Sequence, residues 1–206
     1  METNAKFVKD ELIWLEGVVN ARIADYFNVE GDKDISAQLQ KTPPCDIDCT
    51  YSDFIKSHYL DTAERIYLAL SLVPYVRPQL FDCFFIKNSS TGSRFSEFGG
   101  VVPGNEGYMV PTFTTFLFIM AGNDIEKRLL LTKKYAAHPL FSGHLFTRSS
   151  VSASDYTIEP SHELVERILY EQSYSPCFSA DFPAMLHPQI QAPRHLIQTT
   201  SYIACK

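Results

Sequence analysis

Proline decides where helices can run in this chain. Inside a helix it removes a backbone donor and collides with the preceding turn, so the twelve prolines divide the sequence into permitted segments. From Lys6 to Phe27 there is no proline and a single glycine. Phe7, Leu12, Leu15, Val18, Val19, Ile23, Tyr26 and Phe27 recur close to every 3.6 residues, which predicts an amphipathic helix. Thr3 or Asn4 is its expected cap, and Asn28 with Gly31 its expected end. Trp14, beside the stripe, is read as a core or helix-contact residue. Residues Gly31 to Thr50 carry charge, the Pro43–Pro44 pair and no sustained period, and read as a linker. The first helix then becomes an arm, packed on the main domain or on a partner.

Short helices are expected from Tyr51 to Tyr59 and from Thr62 to Val73. Thr62 is the expected cap of the second, without a capping box because Arg65 stands three residues on. Pro74 is expected to end it, and Pro78 to open another helix to about Phe84. Asn88 to Asn105 is rich in turn formers and reads as a loop. Pro111 precedes a nearly all-apolar helix, Thr112 to Ala121, expected to be the central buried one. Gly122 then ends it, and Asn123 or Asp124 caps Ile125 to Tyr135. Lys127, Arg128, Lys133 and Lys134 make that helix the most basic element, read as a solvated face whose lysines suit the helix C-terminus.

After Pro139 the pattern changes. His144 to Ser149 alternates like a strand, Asp155 to Ile158 is its expected partner, and Ser161 begins a helix through Glu163 to Tyr170. Helices followed by a β ribbon predict an α+β, mostly α fold of winged-helix type: a helical bundle with a two-stranded wing. The expected organisation is an N-terminal helix over 1–29, a linker over 30–50, a winged-helix-like domain over 51–170, and an extended tail over 171–206 broken by Pro176, Pro183, Pro188 and Pro193.

The formal charge of −6 opposes a nucleic-acid or anionic-membrane binder, since both contacts need excess Lys and Arg. The longest apolar run, Phe116 to Ala121, is far below the ~18 residues of a membrane span. The N-terminal METNAKFVKDEL mixes acids and lysines with no apolar core, so no secretory signal is expected. Five scattered cysteines then read as reduced thiols in the cytoplasm.

Motifs for catalysis are missing from the string. The nearest phosphate-loop candidate, Gly99 to Gly104, lacks its lysine, loses a donor at Pro103 and is followed by Glu106, which repels phosphate. Cys45 and Cys49 are spaced too loosely for a zinc knuckle and have no second pair nearby. His162-Glu163 begins a zinc-protease string that Glu166 interrupts. Cys83 lies in an apolar run and reads as an inert buried thiol. No cofactor, metal or catalytic residue is expected, and the chain reads as non-enzymatic.

One block is more distinctive. In FDCFFIKNSSTGSRFSEFGGVVPGNEGYMVPTFTTFLFIMAGND, Phe81 to Asp124, an aromatic run precedes Lys87-Asn88, a Gly92 turn, then Phe95, Ser96, Glu97, Phe98, Gly99 and Gly100. Pro111-Thr112, an apolar helix and Ala121-Gly122-Asn123-Asp124 follow. The pattern resembles the N-terminal winged-helix region of bacterial AAA-family ATPases, including those encoded with contractile injection systems. ELIWLEGVVNARI, ERIYLALSLVP, HPLF and YSPCFSADFPA extend the likeness over about residues 7 to 184. Met109-Val110 departs from it, replacing a small, Gly-rich approach to Pro-Thr, and Lys206 falls about where a nucleotide-binding module would begin.

The resemblance implies a non-catalytic protein-binding or adaptor domain that positions a client for an ATPase motor, with Phe95, Glu97, Phe98, Gly99, Gly100, Pro111 and Thr112 as its motif residues. In the residues themselves, Gly99-Gly100 permit a positive-φ turn, and Phe95 and Phe98 anchor that loop on the core with Glu97 at the surface. The alternatives are a DNA-binding winged helix using the basic helix, a structural part of an injection particle, or an enzyme of a kind the sequence does not reveal.

Overall fold

The computed structural model describes residues 2–29, 34–104, 107–135, 138–142 and 145–171. All belong to one unit, Met1–Tyr174; the expected tail and the His144 end of the first strand lie outside them. The fold is α+β and mostly helical, with a small antiparallel two-stranded sheet.

Helix α1 runs Glu2–Tyr26 and starts earlier than the sequence suggests, so Thr3 and Asn4 lie inside it and do not cap it. Asn4 has another task. Its side-chain amide donates to the Ile168 carbonyl at 2.7 Å and accepts from the Tyr51 backbone N–H at 3.0 Å, fixing α1 to the helices that hold Tyr51 and Ile168. The predicted stripe is buried from Phe7 to Val19, with Leu15 and Val18 fully covered, while Ile23, Tyr26 and Phe27 are partly buried against the core. α1 is therefore not a separable arm: Phe7, Leu12, Leu15 and Val18 share one core with the helices that follow. Asn28 closes α1 in the left-handed region at φ 50.

The span read as a linker contains a helix, α2 (Ile35–Gln40), capped by Asp34, whose carboxylate accepts from the Ala37 N–H at 2.9 Å. Trp14 holds it by donating to the Gln38 carbonyl at 2.9 Å. α3 (Thr50–Ser57) is capped by Cys49. α4 (Thr62–Val76) is capped by Asp61, one residue before the expected Thr62, and Glu64 completes the capping box. The two reciprocal bonds are 2.7 and 2.8 Å. Nor does Pro74 end α4. It sits in the last turn, where one ladder bond is forfeited, and the Arg77 N–H still reaches the Val73 carbonyl at 2.9 Å. The buried face from Ile66 to Val73 holds the helix across that loss.

A 3-10 helix, Pro78–Phe85, follows with proline in its first turn. The expected loop then carries a second 3-10 turn, Ser96–Phe98. α5 (Phe113–Ala121) is the central helix, as its composition predicts, and Gly122 ends it at φ 56. α6 (Ile125–Tyr135) is capped by Asp124, which accepts from the Lys127 N–H at 2.9 Å. After the short α7 (Pro139–Ser142), β1 (Phe146–Thr147) pairs with β2 (Glu159–Pro160), Phe146 opposite Pro160. The regular ladder thus lies just beyond Asp155–Ile158, but that stretch also pairs with the end of the first strand, Tyr156 bridging Ser150 and the Thr157 N–H donating to the Ser149 carbonyl at 2.9 Å. It holds α5 as well: Thr157 bridges Thr112, and the Ile158 N–H donates to the Pro111 carbonyl at 2.8 Å. α8 (His162–Leu169), capped by Ser161, closes the bundle against α3.

Candidate functional site

The motif residues meet at one place, the N-terminal end of α5. Phe98 is fully buried, with its ring 4.8 Å from Phe118, 5.3 Å from Tyr26 and 5.6 Å from Phe84. Phe95 packs edge-on to Tyr26 and Phe27, so the two phenylalanines clamp the loop to the end of α1. Gly99 turns the chain at φ 61 and ψ −151, a region closed to residues with a Cβ. There is no room for one either: it would lie 2.7 Å from the Thr115 backbone nitrogen and the Thr112 hydroxyl. The Gly100 N–H then donates to Thr112 Oγ1 at 3.0 Å, and Thr115 Oγ1 accepts from the Thr112 N–H at 3.1 Å. Met109 lies over Gly100 and fills the space a side chain there would take. Glu97 is the exposed member and pairs with Arg128 of α6 at 3.1 Å.

This geometry makes the block a clamp that joins α1, α5 and α6. Replacing Gly99 with alanine should cost about 2–3 kcal/mol through φ/ψ strain and overpacking. At Gly92, also at positive φ but with open space around it, the same change should cost about 1 kcal/mol. Urea denaturation of both variants measures the difference.

A site able to take a ligand lies elsewhere. The first turns of α1, the end of α4 and the end of α8 enclose a groove of about 720 Å³. Its floor is Val8 and Leu12; its walls are Tyr75, Val76, Leu169 and Tyr170. Tyr75, Val76 and Tyr170 are about half exposed, while Val8 and Leu12 are buried. Lys9, Glu2 and Arg77 stand at its rim, and Arg77 is held by both carboxylate oxygens of Glu16 at 2.8 and 2.9 Å. A mostly apolar surface with charges at its edge suits a peptide segment bearing apolar side chains.

Between α1 and the first turn of α4 lies a buried ion pair that the sequence reading missed. Glu11 is fully covered and bonds to Arg65, which also donates to the Pro43 carbonyl at 2.8 Å and lies 5.6 Å from the Trp14 ring. Burial raises the Glu11 pKa above the usual carboxylate range, and the Arg65 bond only partly opposes it. A signal existed: Glu11 lies four residues after Phe7 and four before Leu15, on the apolar stripe of α1.

Cys49 works as a cap, its sulfur accepting from the Ser52 N–H at 3.5 Å. Cys83 is only partly buried, and desolvation pushes its thiol up to about 11, which keeps it protonated and unreactive. Among the described residues, no three His, Cys, Asp or Glu side chains gather as a metal-binding set. No helix among them is long and apolar enough to cross a membrane. On the basic α6, Arg128 is engaged by Glu97, and Lys134 by Asp61 at 2.9 Å. No protein-family model, curated protein or solved structure matches the chain.

Proposed function

We propose that this chain is a non-catalytic protein-binding module of winged-helix type that works in the cytoplasm, comparable to the N-terminal region of an AAA-family ATPase, and that it presents a client protein to such a motor. The observation that carries this reading is the groove between α1, α4 and α8, with its half-exposed Tyr75, Val76 and Tyr170. Its occupant is a short amphipathic segment of the client, with apolar side chains against Val8 and Leu12. The FSEFGG block serves as the clamp that sets α1 in place, not as the contact itself. A DNA-binding reading is weakened on α6, where Arg128 and Lys134 are already paired with acids and Glu126 stands among the cations.

The test is co-purification of the tagged chain with an AAA-family ATPase or its client, repeated with Val76→Asp. The charge is expected to lower capture at least tenfold and to leave the melting midpoint within about 1–2 °C, since Val76 is exposed. Capture unchanged by Val76→Asp removes the groove from the proposal. Stoichiometric Mg-ATP binding in calorimetry refutes the non-catalytic assignment; none is expected. Recovery only with assembled injection particles favours the structural-component alternative, and a salt-sensitive shift of duplex DNA favours the nucleic-acid one.

A further inference from the structure

Helix α6 exposes apolar surface where a solvated helix would not. Ile125, Leu129 and Leu130 are 72%, 65% and 68% exposed, and of its residues only Tyr135 is fully buried. Scattered exposed leucines need no explanation; here they share one helix face. With 100° between successive residues, Leu129 and Leu130 flank a strip in which Glu126 and Lys133 lie almost in line, facing away from the core. Lys133 and Glu126 have no ion-pair partner among the described residues, whereas the inward Arg128 and the flanking Lys134 do.

The order of these residues is self-complementary. Glu126 and Lys133 lie equally far on either side of the midpoint between Leu129 and Leu130. Seven residues, about 10.5 Å along the axis, separate them, too far to pair within one helix. Laid antiparallel on a second copy, the face brings Glu126 opposite Lys133 of that copy, and the reverse. Both leucines of each chain meet at the centre. A two-fold interface requires this arrangement, one patch complementary to itself. We infer that α6 is a homodimerisation face, with a second copy of this chain packed antiparallel across Leu129 and Leu130 and locked in register by two Glu126–Lys133 pairs.

Glu126 in the middle of the face disfavours an anionic lipid surface or nucleic acid as the occupant. A pair of eleven-residue helices falls short of the ~1,000 Å² of a tight interface. The association is therefore weak, with dissociation in the micromolar range, and sensitive to salt because its register rests on exposed charges.

Sedimentation velocity of the full chain across low- to high-micromolar concentration, at low salt, tests the inference. The wild type is expected to pass from one to two chain masses. Leu130→Asp should stay monomeric throughout with an unchanged melting midpoint, because its side chain touches no core. Glu126→Lys should weaken the dimer roughly tenfold, and adding Lys133→Glu should restore it, a rescue that only contact between copies can give. A wild type that stays monomeric overturns the proposal, as does a dimer that survives Leu130→Asp. Failure of the charge swap to rescue overturns the antiparallel register. Monomers that bind phosphatidylserine vesicles through Leu129 and Leu130 overturn it in favour of a lipid surface.

Discussion

Phe98→Ala is expected to destabilise the protein by about 3–5 kcal/mol, lowering the melting midpoint by roughly 10 °C for a domain of this size. Phe98 is fully buried and lies within ring contact of Tyr26, Phe84, Phe95 and Phe118. Those rings come from α1, the Pro78–Phe85 helix, the motif loop and α5, so little can collapse into the space without moving a helix. Truncation therefore loses the transfer energy of the ring and leaves most of the cavity open. Phe98→Leu, which keeps much of the volume, should recover more than half of the loss. Glu97→Ala, the neighbouring residue in the same turn, should change stability by less than about 1 kcal/mol, because the Glu97 carboxylate is partly open to solvent, which screens its pair with Arg128. Thermal denaturation of the three variants gives the ordering. An unchanged midpoint for Phe98→Ala would remove the ring from the core and free the block for a recognition role.

What could be read from sequence follows the range of the forces involved. The α5–α6 boundary was legible because its signals are local, Gly122 at positive φ and Asp124 on the next N-terminus; the N-terminal end was not, since Thr112, read as the first helical residue, is the cap of α5. The stripe of α1 was legible because periodicity needs no partner. The cap of α4 was misplaced by one residue, although its first helical residue was not, since Asp61-x-x-Glu64 and Thr62 compete as caps and only the reciprocal bonds decide. α2 was invisible: a short polar helix with no buried residue persists where Asp34 caps it and Trp14 reaches Gln38. Phe95 and Phe98 could be read as loop anchors from their aromatic character alone, whereas the convergence of the block on α5 was not foreseeable because Tyr26 and Asp155–Ile158 approach from distant parts of the chain. The groove escaped for the same reason. Val8, Val76 and Tyr170 are unremarkable until three helices bring them together.

Arg65→Met should be the other large loss, about 3–5 kcal/mol near neutral pH. The substitution keeps an apolar stem against Trp14 of α1 but leaves Glu11 charged, fully covered and without its counter-ion. Pairing of this kind contributes little over a well-packed apolar alternative, whereas breaking it on one side leaves the whole desolvation cost. Glu11→Leu combined with Arg65→Met is therefore expected to regain most of the loss, giving a strongly non-additive cycle. The pH dependence carries a sign. The folded pKa of Glu11 is raised, so its contribution is fully present below the unfolded value near 4.5 and is lost as pH rises through the folded value. Removing Arg65 raises the folded value further, which widens that window upward. The deficit of Arg65→Met relative to the parent should thus shrink as the pH is lowered from 7 toward 5, where Glu11 takes up a proton and ceases to be an unpaired charge. Urea midpoints at several pH values measure it. A deficit that stays constant across that range would mean that packing around Trp14, not the Glu11 charge, is what Arg65 supplies.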